Sequence, residues 1–269
     1  MGRLGRIRIR ADEESACRRE SIPHAGRGGR ILTDLVLGYF FSSLDDFIHP
    51  EVFAGLDYPW QALAAAKSRL GEIAGAGEPG GLIQCEVPGE AVVRGAVRVG
   101  EGTVIDAHVL IEGPAIIGRN VTIRHGALVR PGTIVSDDCV LGHGCEIKNS
   151  LLFRGAKVQS LTFCGDSVIG RGARIGSGTI TANRRFDQGE IGIKHEGVRH
   201  PFDTEYFGCV LGDYVRLGAN CVTLPGTLIG PYTWVMPLTR VGGFIPRGKL
   251  VSFKHALLMT DNQPRKLKP

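Results

Sequence analysis

The chain has 269 residues, enough for one large domain or two small ones, and an ordinary apolar fraction of 43%. Its formal charge of +5 sits at the ends: residues 1–30 contribute +4 and residues 247–269 contribute +5, so the span between is −4 and is not a nucleic-acid-binding surface. No run of about twenty apolar residues is present to span a membrane, no signal peptide is visible, and the seven cysteines are too irregularly spaced for a disulfide framework, so a cytoplasmic setting is expected.

Residues 1–30, rich in arginine, read as a disordered or tag-like segment. Residues 31–81 read as a helical N-terminal segment followed by a linker. Short apolar pieces fill 31–56, and a helix is expected from Pro59. Trp60, Leu63, Lys67, Leu70 and Ile73 recur at helical spacing, an amphipathic stripe interrupted by Lys67. The Gly, Ala and Pro residues of 74–81 make the linker.

Beyond it the sequence is periodic. Steps of six from Val87 land on Val93, Val99, Ile105, Ile111, Ile117, Ile123, Val129, Val135, Leu141 and Ile147. A step of five reaches Leu152, then six gives Val158 and Cys164. A second step of five reaches Ile169, then Ile175 and Thr181. The register resumes at Leu211, Leu217, Thr223, Ile229, Val235 and Val241. Glycine often follows the aliphatic residue, and a small or branched residue comes four places after it. Neither a helix nor an alternating strand has a period of six. The period predicts an all-β parallel β-helix over 82–245, in which three hexads close one triangular coil of eighteen residues. Large aliphatics fill the interior, and glycine is expected to relieve the turn backbone. Cys139, Cys145, Cys164 and Cys221 fall on inward positions as core fillers; Cys17, Cys85 and Cys209 are not accounted for.

Residues 184–209 interrupt the repeats and are expected as a loop projecting from one face, where binding residues often sit. Residues 246–269 form a C-terminal tail. The helix near 59–73 and the tail are expected to cap the two open ends of the solenoid.

The stretch "GHGCEIKNSLLFRGAKVQSLTFCGDSVIGRGARIGSGTITANRRFD" (142–187) resembles the hexapeptide-repeat acyltransferases of the left-handed β-helix type. It is most like the acetyltransferase half of the bifunctional glucosamine-1-phosphate acetyltransferase and sugar-1-phosphate nucleotidylyltransferase enzymes. The stretch "FFSSLDDFIHPEVFAGLDYPWQALAAAKSRL" resembles the linker between their two halves. The resemblance covers about 38–245 and leaves out the nucleotidylyltransferase half, so nucleotide transfer is not expected. It implies a left-handed coil, a homotrimer with sites between subunits, and acetyl-CoA or another acyl-CoA as co-substrate.

The resemblance also assigns residues. Arg130, in "VRPG", and Lys148, in "EIKNS", match the pair that holds the substrate phosphate. They are eighteen residues apart, so the coil stacks them on one face about 4.8 Å apart, where an anion between them would relieve their repulsion; the plain alternative is two solvated surface cations. Asn183, in "GTITAN", matches an Asn near the sugar and acyl group, with a turn Asn as the alternative. Ser177 and Ala219 match positions whose backbone approaches CoA.

Other positions depart from the family. Its catalytic His falls on Ser160, its sugar-binding Tyr on Phe163, two basic residues on Gly189 and Gly192, and an Asn on Arg174. A serine hydroxyl is no base near neutral pH. His195 and His200, in the insertion, are the candidates to replace it, against a reading as exposed loop residues. The pairs His195/His200 and His125/His143 also raise a zinc site of the kind seen in γ-type carbonic anhydrases, but one pair lies off the coils, and no metal is expected. Two functions stay open. One is an acyl-CoA-dependent acyltransferase acting on a phosphorylated or nucleotide-linked amino sugar or similar anion, favoured by Arg130 and Lys148. The other is a non-catalytic β-helical trimer that binds an anionic ligand or a protein partner, favoured by the missing His.

Overall fold

The hexads fold as the period predicts. The computed structural model describes residues 34–75, 82–254 and 259, and its elements belong to one compact unit, Leu32–Pro269. Three parallel sheets of eight strands form the walls of a β-solenoid. The first sheet holds Val92–Arg94, Leu110–Glu112, Leu128–Val129, Glu146–Lys148, Phe163–Gly165, Ile180–Thr181, Val222–Thr223 and Arg240–Val241. The second runs from Val97–Val99 to Phe244–Ile245, and the third from Val104–Ile105 to Leu250–Val251. The last coil therefore extends past residue 245, where the hexad reading stopped.

Rungs pair at the predicted spacing. Val93 faces Ile111, and Ile111 faces Val129. Each step of five shortens one coil to seventeen residues, so Val135 pairs with Leu152 and Leu152 with Ile169. The hexad aliphatics from Val99 to Val241 form one continuous interior. The four cysteines expected as fillers are buried there, and so is Cys209, which the insertion had hidden from the register.

The reason for the glycines differs from the expected one. Gly142 and Gly176, each just after an inward aliphatic, do not have positive φ. A Cβ at Gly142 would lie 2.5 Å from Gln159 C, and one at Gly176 would lie 2.5 Å from Gly218 C. Glycine there lets one coil's backbone rest on the next. Positive φ falls two residues later, at positions such as Gly144, Leu161 and Gly178.

The N-terminal segment corrects a second expectation. It contains the short helix α1, Leu37–Phe40, three 3-10 turns and the helix α2, Ala62–Ile73. It lies along the outer face of the second sheet and does not cap an end. Strands of that sheet, such as Ala115–Ile117 and Leu151–Leu152, are buried on both faces. Their outward residues Ile116, Ile134, Leu151, Val168, Val210 and Leu228 join Phe41, Phe47, Phe53, Leu63 and Leu70 in a second core. Phe153 enters from the coils and stacks on Phe41 at 4.6 Å. On α2 the buried stripe is Leu63, Ala66 and Leu70, and Lys67 is exposed. Asp213, 2% exposed, accepts bonds from Ser42 N, Ser42 Oγ and Arg171 N, which ties the segment to the coils.

The insertion is more ordered than a loop. Gly192–His195 and Val198–Pro201 pair as an antiparallel hairpin, whose Ile193 and neighbouring Phe202 complete the second core.

Candidate functional site

The first sheet carries most of the residues singled out from the sequence. Arg130 and Lys148 do project from adjacent rungs, as the register of Leu128 with Glu146 requires. They are not two bare cations. Arg130 Nη1 donates to Glu146 Oε1 at 2.8 Å, and Lys148 Nζ donates to Asp166 Oδ2 at 3.0 Å. Each has a carboxylate of its own, so the repulsion is relieved without a bound anion. One Lys donor is spent on Asp166, and the ammonium has three.

Asp166, missed by the sequence reading, organises this cluster. Its side chain is 3% exposed, and it accepts from Lys148, from Asn149 Nδ2 at 2.7 Å and from Asn183 Nδ2. A buried carboxylate needs such partners to stay ionised. It thereby joins Lys148 to Asn183, two residues the motif match had named separately. Its one sequence signal is its place, next to Gly165 in a shortened coil.

Gly165 pairs with Lys148 in the next rung. A Cβ there would lie 2.6 Å from Phe163 Cζ and 3.0 Å from Asn183 Nδ2. Its absence lets the Phe163 ring and the Asn183 amide meet over the sheet. Tyr206, from the insertion, adds a wall, with Lys148 Nζ 5.0 Å and Arg184 Cζ 5.1 Å from its ring centroid. Beside Lys148, between the coil corner, α2 and the insertion, lies a cavity of about 690 Å3.

At the other end of these strands the chain turns in from the third sheet. Backbone bonds align this corner from coil to coil: Gly144 N to His125 O, Leu161 N to His143 O, Gly178 N to Ser160 O and Asn220 N to Ser177 O. His125, His143, Ser160, Ser177 and Ala219 therefore form one column. The His125 and His143 rings stack at 5.4 Å, and His108 meets His125 edge-on at 5.1 Å. His143 and Lys148 flank the same strand, Glu146–Lys148. The eighteen-residue spacing of His125 and His143 was the signal for this stack, but it pointed only to a metal.

Arg174 faces outward on the third sheet, where Lys157, Arg174 and Arg216 occupy successive rungs. All three are exposed. None makes an ion pair among the described residues, whereas Arg124, Arg130, Lys148, Arg154 and Arg171 each do. Like charges directly opposite one another in a ladder are destabilising.

The insertion histidines are placed elsewhere. His195 packs edge-on against Phe244 at 4.8 Å, and His200 Nε2 is buried with no hydrogen-bond partner among the described residues. Neither lines the cavity. Gly192 is required by the hairpin, since a Cβ would lie 2.6 Å from His200 O. Gly189 sits in the turn closed by Arg185 and Asp187, its N–H bonding Asp187 Oδ1 at 3.2 Å. Among the described residues no helix is long and apolar enough to cross a membrane.

Comparison with known proteins adds the family. The model of the GMPPB C-terminal domain matches residues 111–236. A bifunctional sugar-1-phosphate nucleotidylyltransferase/acetyltransferase of Sulfurisphaera tokodaii is 38% identical over 92 residues, 34% of this chain and 23% of that protein. The bifunctional protein GlmU of Methanococcus aeolicus is 33% identical over 116 residues, 42% of this chain and 28% of that protein. The chain thus spans about a quarter of the length of these two relatives. An Escherichia coli (strain K12) protein named as an uncharacterized acetyltransferase, YaiX, is 32% identical over 177 residues, 66% of this chain and 74% of that protein. With the three-walled parallel solenoid, these matches show that the chain belongs to the hexapeptide-repeat acetyltransferases of the left-handed β-helix type.

Proposed function

We propose that this chain is an acyl-CoA-dependent transferase that acylates an amine or hydroxyl of a phosphorylated or nucleotide-linked sugar. One observation carries the reading: the corner column of His143, Ser160 and Ser177 separates two differently equipped surfaces. On the third sheet stand Lys157, Arg174 and Arg216, none of them in an ion pair among the described residues and suited to the phosphates of an acyl-CoA. Ser177 and Ala219 continue the column on the coils of Arg174 and Arg216, where backbone can meet the thioester arm. On the first sheet, Lys148 and Asn183 are joined through Asp166, with Arg130 on the adjacent rung, and together they suit an anionic sugar. The relatives named as acetyltransferases, one of them bifunctional with a sugar-1-phosphate nucleotidylyltransferase, support acyl transfer.

In this reading the acceptor nitrogen or oxygen attacks the thioester carbonyl directly. The C–S bond breaks, and the acceptor's proton passes through a base to the departing thiolate. Ser160 cannot be that base, and His195 and His200 lie on the insertion hairpin, off this corner column. His143, exposed on the corner beside the strand of Lys148, takes the role. Cys139, Cys145, Cys164 and Cys209 are not nucleophiles here, because burial pushes the Cys139 and Cys145 thiols up to about 12 and raises those of Cys164 and Cys209. The protein works as a homotrimer: the second sheet is covered by its own N-terminal segment, and the first and third sheets are left to face neighbours.

Incubation with labelled acetyl-CoA and a panel of sugar 1-phosphates and nucleotide sugars tests this. Transfer to at least one acceptor is expected. The non-catalytic alternative rests on Ser160 at the family's base position, and ligand binding without any transfer would favour it and overturn the transferase.

A further inference from the structure

The cavity beneath α2 is larger and more apolar than a sugar phosphate needs. Its polar end is the Lys148, Asn149 and Asp166 corner. Its accessible apolar wall is Ala64, Pro114 and Pro131, backed by the buried Leu63, Leu70 and Phe207, with the edge of Trp60. Both faces of that indole are already covered, by Tyr58 at 4.5 Å and Phe202 at 4.6 Å, so the ring is fixed as wall.

Two groups here lack a partner. Lys67, on the α2 side, makes no ion pair among the described residues and lines the same cavity as Lys148. Gln61 spends its carbonyl oxygen on Asp57 N and Tyr58 N, which leaves its amide N–H groups for a ligand. Asp203 supplies a carboxylate nearby, whereas the Thr204 hydroxyl is engaged by Tyr206 N and O. A plain hydrocarbon chain would waste these groups, and a lone phosphate would waste the apolar walls. A mostly apolar pocket with a few polar groups suits a planar heterocycle joined to an anion.

We infer that this cavity binds a nucleoside diphosphate group, with the base against the Ala64, Pro114 and Pro131 wall and the diphosphate between Lys67 and Lys148. The inference rests on the transferase reading above and narrows its acceptor to a sugar carried on a nucleoside diphosphate. The sugar then extends from Lys148 over the first sheet toward Asn183 and Phe163. Helix α2, which roofs the cavity, becomes the element that selects the acceptor.

The test is titration of the full chain, carrying Trp234→Phe so that Trp60 is the one remaining tryptophan, with UDP, GDP, CDP and ADP. Glucosamine 1-phosphate and inorganic pyrophosphate are titrated in parallel. At least one nucleoside diphosphate should bind with a change in Trp60 emission. Lys67→Ala should weaken it about ten- to a hundredfold, the range expected for one charge-assisted contact, and Lys67→Arg should restore most of the affinity. Pyrophosphate binding as tightly as the nucleotide, displacement of the nucleotide by desulfo-coenzyme A, or an unchanged affinity in Lys67→Ala would each overturn the inference. Acyl transfer to glucosamine 1-phosphate with no nucleotide binding would overturn it and leave the transferase standing; absence of both transfer and binding would remove the two together.

Discussion

At the scale of single residues, Lys148 and Arg130 should not be equivalent. Lys148 is held by an almost fully buried carboxylate and lines the cavity, whereas Arg130 pairs with Glu146 on a half-exposed face. Lys148→Ala should therefore weaken binding of a phosphorylated acceptor by about 1.5–3 kcal/mol, because it also leaves Asp166 short of its cation. Arg130→Ala should cost at most about 1 kcal/mol, since exposed pairs contribute little. Calorimetric titration with one acceptor distinguishes the two, and equal losses would contradict the ranking. His143→Ala should lower kcat by about 10²–10⁴-fold with little change in acceptor KM, and Ser160→His in that variant should return part of it. Loss in KM alone would assign His143 to binding instead. The buried thiols should resist alkylation at pH 8 in the folded protein and react together on unfolding; a thiol-labelling time course with mass detection reads this directly.

At the scale of elements, the N-terminal segment and the second sheet form one structure. Phe153 touches Phe41, Phe47 and Phe53, so Phe153→Ala should destabilise the protein by about 3–5 kcal/mol, measured by denaturant unfolding. Asp213 adds a pH dependence. Burial raises its pKa above the ordinary carboxylate value, against the lowering effect of its bonds to Ser42 and Arg171. A raised folded-state pKa means that its contribution is complete at acid pH and is lost as pH rises through that value. Relative to Asp213→Asn, the wild type should thus lose stability from about pH 4 upward, and a wild-type advantage that grows with pH would refute the assignment. The covered face had a signal in the sequence that the expectation of an end cap did not use. Ile116, Ile134, Leu151 and Val168 recur one coil apart, each beside an inward aliphatic, so these strands are apolar on both faces. The insertion hairpin was not legible, because its strands have no alternation clear enough to separate from a loop.

At the scale of the whole molecule, the second sheet is closed by the chain itself, so a trimer must use the first and third. Light scattering at micromolar concentration should give three times the 28.9 kDa chain mass, and a monomer mass would exclude sites shared between subunits. The sequence by itself determined the solenoid, its rungs and which residues point inward, because a period of six is a local rule that repeats and needs no distant contact. It also placed Lys148 one coil above Arg130 and aligned Asn183 by motif. Only the tertiary structure decided that Asp166 joins Lys148 to Asn183, that the histidine stack stands in the column of Ser160, and that α2 roofs a cavity. Those arrangements depend on where a shortened coil, an inserted hairpin and a helix more than fifty residues upstream meet. Such contacts are set by packing between elements, which no periodicity along the chain encodes.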